Sequence, residues 1–272
     1  MRATSATRRG VDTVIGIVIL ALMLFPVYWM INASLQRSGN TLTAGFLPLD
    51  PTFANYAKAI VEQGRNLVVS LIIALGTVIF SLAVATPCAY ALAKFRFRWI
   101  NVALLAILIS QMIPGIVITN ALYTAYVQIG LLNSIPGLVL ANSTASIPFA
   151  ILIMRSFMLG IPSAVVEAAR VDGAGYLRSF LSIVVPISRN SLITAALFSF
   201  LFSWSDFLFA LTLTTTSQIR PVTLGIYEYL GTQVQNWGTV MATAVLSAIP
   251  AIVLLIAAQK YIAAGAAGGA VK

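Results

Sequence analysis

Two places in this sequence hold acidic residues whose setting asks for a role. Glu167, Ala168, Ala169, Arg170 and Asp172 stand together in a polar stretch between two long apolar runs. Alanines let another surface approach closely, and a carboxylate beside them offers one directional polar contact, so the patch suits docking of a partner. The plainer alternative is a solvated helix with a Glu167–Arg170 pair at i,i+3, worth roughly 0.2–0.5 kcal/mol. The second place is Asp206, the only acid inside an apolar run. Other chemistries are excluded. There is no histidine and one cysteine, Cys88, so disulfides within the chain, Cys/His metal sites and histidine-dependent nucleophiles cannot be built. Paired carboxylates and a phosphate-binding glycine loop with its lysine are also missing, which argues against an enzyme. Cys88 reads as small packing material in a helix.

The elements that must position these residues follow from the solvent. Sixty per cent of the 272 residues are hydrophobic, 8% are charged and the mean hydropathy is +0.96, which a water-facing surface of this size does not allow. Several apolar runs reach the roughly 20 residues that cross a hydrocarbon core of about 30 Å. Their unbroken apolar character means helices rather than the alternating strands of a barrel. The expected fold is an all-α polytopic membrane protein with six transmembrane helices, near 13–35, 67–93, 100–122, 136–157, 191–213 and 237–260. Tyr28 and Trp29 near the end of the first run suit an interface anchor, and no A-x-A cleavage signal follows, so that run reads as a helix rather than a signal peptide.

Lysine and arginine give the orientation. Arg2, Arg8, Arg9, Lys94, Arg96, Arg98, Arg155, Arg170, Arg178, Arg189, Lys260 and Lys272 fall on one side of the six-span arrangement, and Arg37, Lys58, Arg65 and Arg220 on the other. Twelve against four places both termini in the cytoplasm. The net charge of +9 therefore belongs to topology rather than to nucleic acid. The expected organisation is a cytoplasmic N-terminus (1–12), a six-helix domain (13–260) with a long cytoplasmic loop at 158–190, and a C-terminal tail (261–272). Within that loop Pro162 and Ser163 can start a surface helix, Gly173 and Gly175 should bend it, and 176–183 should turn back to the bilayer.

Asp206 lies 15 residues along the fifth run, roughly 22 Å from its cytoplasmic end. Intramembrane carboxylates normally face a bundle interior or a water-filled cavity. Trp204 beside it offers a ring face on which a sugar could stack; the alternative makes Asp206 a cap at a helix break or a bond to a neighbouring subunit. Gln111, Asn120, Asn142, Ser143 and Thr144 are further pathway candidates, although such groups also make interhelical hydrogen bonds of about 1 kcal/mol. Pro87, Pro114, Pro148 and Pro250 should kink their helices.

Residues 167–186 read E-A-A-R-V-D-G-A-G-Y-L-R-S-F-L-S-I-V-V-P. This closely resembles the EAA loop of ABC importer permeases, with Glu167, Ala168, Ala169, Gly173, Ile183 and Pro186 in register and Val185 where leucine is usual. F-S-F-L-F-S-W-S-D-F-L-F-A-L-T-L at 198–213 is similar to the fifth span of the carbohydrate-uptake, maltose-type permeases, with Ser205 where asparagine usually follows the tryptophan. Val222-Thr223-Leu224-Gly225, Trp237-Gly238, Phe95-Arg96-Phe97 and the ending Gly269-Ala270-Val271-Lys272 extend the likeness to nearly the whole chain, and to the shorter, six-span subunit of the permease pair.

The resemblance implies a bacterial-type inner (plasma) membrane subunit of a binding-protein-dependent sugar importer. It implies a second homologous permease, two ATPase subunits that carry ATP and Mg, an extracytoplasmic sugar-binding protein, a lipid surround and no nucleic acid. Glu167, Ala168, Ala169 and Gly173 would be the ATPase-coupling residues, with Arg170, Asp172, Ile183 and Pro186 in the same loop. Gly269, Ala270, Val271 and Lys272 would form a tail reaching the ATPase dimer, on a flexible Gly/Ala-rich approach. A secondary transporter, a channel or a non-sugar ABC importer fits the hydrophobicity equally but does not explain the EAA loop together with the 198–213 and C-terminal likenesses.

Overall fold

In the computed structural model all regular structure among the described residues, 6–37, 45–216, 218–231 and 237–270, is helical. The helices are α1 (Ala6–Ser34), α2 (Ala54–Lys94), α3 (Ile100–Ser110), α4 (Gly115–Ile129), α5 (Ile135–Leu159), α6 (Ser163–Val171), α7 (Tyr176–Ser179), α8 (Val185–Ile187), α9 (Arg189–Trp204), α10 (Leu208–Leu213), α11 (Val222–Gly231) and α12 (Trp237–Ala270). One π turn, Phe180–Val184, joins α7 to α8.

Four of these are long and apolar enough to cross a membrane: α1 from Gly10, α2, α5 and α12 to Tyr261. Two bent pairs bring the number to six when each pair is one span, α3 with α4 at 93° and the α7–α8 segment with α9 at 77°. The first bend has a covalent cause. Pro114 precedes α4 at φ −58°, ψ 135°, and its ring nitrogen has no proton to continue the α3 ladder. By contrast α2, α5 and α12 continue helical through Pro87, Pro148 and Pro250.

Several boundaries differ from those the apolar runs suggest. α2 begins at Ala54 rather than near residue 67, because the polar stretch before the span is rich in helix formers and holds a Lys58–Glu62 pair at i,i+4, 3.8 Å apart. The fifth run is not one helix: α9 stops at Trp204 and α10 starts at Leu208. The connection between the fifth and sixth runs contains α11. The Gly/Ala-rich approach to the C-terminus, expected to be a flexible extension, stays helical to Ala270.

The chain divides into two compact units, Met1–Gly64 with Ile226–Ile249, and Arg65–Gly225 with Pro250–Lys272. In the first, Asn55 Nδ2 donates to the carbonyls of Ser34 (2.9 Å) and Gln36 (3.0 Å), satisfying orphan acceptors where α1 ends. Gly238 lies against the same amide; a Cβ there would meet Asn55 Nδ2 at 2.5 Å, so only glycine permits the approach.

The second unit is held by three apolar clusters. One is made of Ala85, Ala89, Leu92, Ala150, Met154, Met158, Val184, Ala195 and their neighbours. Its alanines let α2, α5 and α9 pack backbone to backbone, the usual solution where lipid supplies no hydrophobic drive between helices. A second joins Val69, Ile73, Tyr126, Leu138, Phe209 and Leu213; a third joins Ala74, Phe200 and Trp204. Hydroxyl pairs stitch the helices between them, Thr77 to Ser203 at 3.1 Å and Ser81 to Ser143 at 3.3 Å.

Candidate functional site

The loop after α5 is built around a helix with nothing to hide. α6 has no buried residue: Glu167, Ala168, Arg170 and Asp172 are exposed, and Ala169 is half-buried. Pro162 sets the entry with β-region angles (φ −61°, ψ 132°), and no side chain caps the first turn, so Ser163 begins the helix rather than capping it. The exit is a Schellman closure. The Gly173 N–H donates to the Arg170 carbonyl (3.1 Å) and the Ala174 N–H to the Ala169 carbonyl (2.9 Å), with Gly173 at φ +85°. The bend expected at Gly173 is present, and its cause is this left-handed residue.

Arg170 does not pair with Glu167. Its guanidinium donates to the Tyr176 hydroxyl at 2.9 Å and lies 4.1 Å from the centre of that ring, across the turn. The i,i+3 pair of the plainer alternative is therefore replaced by a clasp between α6 and α7, because the Gly173 turn brings Tyr176 back beside Arg170. Glu167 makes no ion pair among the described residues. Ile183 is half-buried within the π turn, and Pro186 is exposed in α8. Neither lies on the α6 ridge; both belong to the segment that returns the chain to α9.

Two basic residues that the motif search passed over hold the base of this loop. Lys94, the last residue of α2, donates its ammonium to the carbonyls of Ile161 and, at 3.5 Å, Leu159 at the end of α5. Arg155 Nε, one turn inside α5, donates to the Leu92 carbonyl at 3.1 Å near the end of α2. Each helix thus caps the carbonyl end of the other, which suits the negative end of its dipole. Beneath them Leu92, Met154, Met158, Ile161 and Val184 are buried together, and Tyr90 packs on Phe180 of the π turn at 5.3 Å. In the sequence the two residues stand only as basic residues near the ends of two apolar runs, Lys94 in the last turn of α2 and Arg155 one turn before the end of α5.

At the α9–α10 break the carboxylate is spent internally. Asp206 Oδ1 accepts from the Phe209 N–H (3.2 Å) and Oδ2 from the Ala210 N–H (3.1 Å), two of the orphan donors of α10. The Asn142 side chain hydrogen-bonds the same carboxylate, and Thr223 Oγ1 donates to the Asp206 carbonyl at 2.6 Å. Asn142, only 4% exposed, also donates to the Leu138 carbonyl at 2.9 Å. Ser70, Ile73, Leu138, Asn142, Ser203, Asp206 and Pro221 enclose a cavity of about 10 Å³, room for one water at most.

Trp204 is 7% exposed, with its ring stacked on Phe200 (centroids 5.4 Å, interplanar angle 14°). In this conformation it is core, and the ring face expected to meet a sugar is covered; the apolar run that holds it packs inward instead of lining an opening. Gln111 and Asn120 stay apart from this cluster, both exposed, one just after α3 and the other within α4. Ser143 and Thr144 bond backward to the Val139 and Ala141 carbonyls. Of the C-terminal residues, Gly269 and Ala270 end α12, and Val271 and Lys272 lie outside the described residues.

With the geometry in place, comparison with known proteins is informative. Residues 81–267 match the family described as the binding-protein-dependent transport system inner membrane component. The chain is 30% identical to the melibiose/raffinose/stachyose import permease protein MelC of Bacillus subtilis, with all of both chains covered. It is 31% identical to the trehalose transport system permease protein SugB of Mycobacterium tuberculosis, over 98% of this chain and 99% of that one. Its fold matches a chain from the crystal structure of a bacterial ABC transporter involved in import of the acidic polysaccharide alginate, with TM-score 0.80 and 25% identity over 96% and 99% of the two chains. Full-length likeness and the matched domain agree: the chain belongs to the family of inner membrane components of binding-protein-dependent transport systems.

Proposed function

We propose that this chain is the transmembrane subunit of an ATP-driven sugar importer, forming half of the pathway with a second permease. The observation that carries the reading is α6: a helix without a buried residue, carrying an unpaired Glu167 and closed by a rigid Schellman turn. An exposed alanine ridge with one free carboxylate, held on a braced base, suits a partner that arrives from solution. That partner is an ATPase subunit, two per importer, holding ATP and Mg; this chain hydrolyses nothing. The relatives named for melibiose, raffinose, stachyose and trehalose support a sugar as cargo, delivered by an extracytoplasmic binding protein. The loop at 158–190 and both termini then face the cytoplasm.

In this reading transport is a two-state switch. Closure of the ATPases shifts the α6 ridges, and the loaded binding protein favours the state open to the outside; each ligand acts only through its preference for one state. Trp204, Asp206 and Asn142 hold the α9–α10 break, while exposed Gln111 and Asn120 are the pathway candidates open to a solute, since polar groups facing lipid would be costly.

Glu167→Lys tests the docking. The variant should insert and accumulate like the parent, lose co-purifying ATPase and lose uptake. Normal uptake by a well-expressed Glu167→Lys protein would sink the reading. Purification of the parent as a stable homo-oligomer, with no ATPase and no second permease, would favour a carrier or channel.

A further inference from the structure

The link between α2 and α3, residues 95–99, reads Phe-Arg-Phe-Arg-Trp and joins two candidate membrane spans within five residues. Arg96, Phe97, Arg98, Ile100 and Asn101 line an open pocket of about 410 Å³. Its charge has no internal answer. Neither arginine makes an ion pair among the described residues, and no acid occurs in the sequence between Glu62 and Glu167. Lys94 next door is already committed to the end of α5. Arg98 lies 5.0 Å from the centre of the Trp99 ring, which leaves its edge nitrogens able to donate outward.

The surroundings are apolar and uncovered. Trp99 is 58% exposed, Phe97 in the pocket lining and Phe95 just before Arg96 are exposed as well, and α3 has no buried residue along its length. Two guanidinium groups and an amide over a rim of aromatic rings, continuous with a bare apolar helix, match a molecule with an anionic head and an acyl tail. Aromatic rings favour the headgroup level of a bilayer, and juxtamembrane arginines favour anionic lipid.

We propose that this pocket is a binding site for an anionic phospholipid, its phosphate between Arg96 and Arg98 and its acyl chains along Val102, Leu105 and Ile109 of α3. A free phosphate or a nucleotide would use the arginines but not the apolar helix; a protein partner would use the rings but needs its own acids.

The test uses the subunit purified with its partner subunits, exchanged into nanodiscs of phosphatidylglycerol and phosphatidylethanolamine and read by native mass spectrometry. The parent should retain phosphatidylglycerol selectively, and Arg96→Gln with Arg98→Gln should weaken that retention by about 30-fold, two charges' worth near a surface. Phosphatidylethanolamine retention should not change, and Arg96→Lys with Arg98→Lys should restore most of the selectivity. Equal retention of both lipids by the parent overturns the proposal. So does displacement of the lipid by millimolar inorganic phosphate, or a cross-link from a probe at position 101 into another subunit.

Discussion

The α6 turn and the α9–α10 break are both organised by an acid beside a helix end, and they use it in opposite ways. At the break, the Asp206 carboxylate accepts from two backbone N–H groups and from Asn142, so little remains for any outside group. At the turn, the carbonyls of Ala168, Ala169 and Arg170 are closed by backbone N–H groups, and Glu167 is left out of the accounting. A carboxylate that finishes its own fold is structural; one that the fold can do without is available to a partner. Burial tells the same story, since Trp204 beside Asp206 is core and α6 has no fully buried residue.

That contrast can be broken by experiment, starting where the effect should be greatest. Glu167→Lys should abolish uptake while leaving the melting temperature of the detergent-purified chain unchanged; a large fall in that temperature would make Glu167 structural after all. Asp206→Ala should do the reverse, lowering stability by about 2 kcal/mol through two lost cap bonds, read by thermal unfolding, with Asp206→Asn recovering part of it. Lys94→Met should cost about 1.5 kcal/mol and speed amide exchange at residues 159–163, and Lys94→Arg should recover the protection. Smallest is Gly173→Ala, about 1 kcal/mol from the left-handed backbone, with slower uptake and normal membrane levels. An uptake loss there as complete as with Glu167→Lys would show that the turn angle, rather than the carboxylate, matters most.

Much of this was legible in the residues, for reasons that can be named. α5 was readable to within two residues, because Ser134 caps its start and accepts from the Gly137 N–H at 3.0 Å, while Gly160 follows its end. The bend at Gly173 was readable because few other residues adopt φ +85°. The break in the fifth run was legible only as one of the alternative readings of Asp206, a cap at a helix break, because the residues on both sides are equally apolar and that carboxylate alone marks it. The fate of Arg170 was also hidden: its partner Tyr176 becomes a neighbour only once the turn is made. Lys94 and Arg155 looked like topology signals, and their bonds to carbonyls on another helix depend on packing that no local pattern carries.

The crossed caps of Lys94 and Arg155 have a further consequence. Both end on amide carbonyls, which do not titrate, and a charge–dipole contact at hydrogen-bond distance is little affected by salt. The two bonds cross between the same two helix ends, so separating those ends breaks both together. The base of the loop is therefore bolted rather than hinged: α2 and α5 are tied to each other, once in each direction, where the chain leaves α5 for α6.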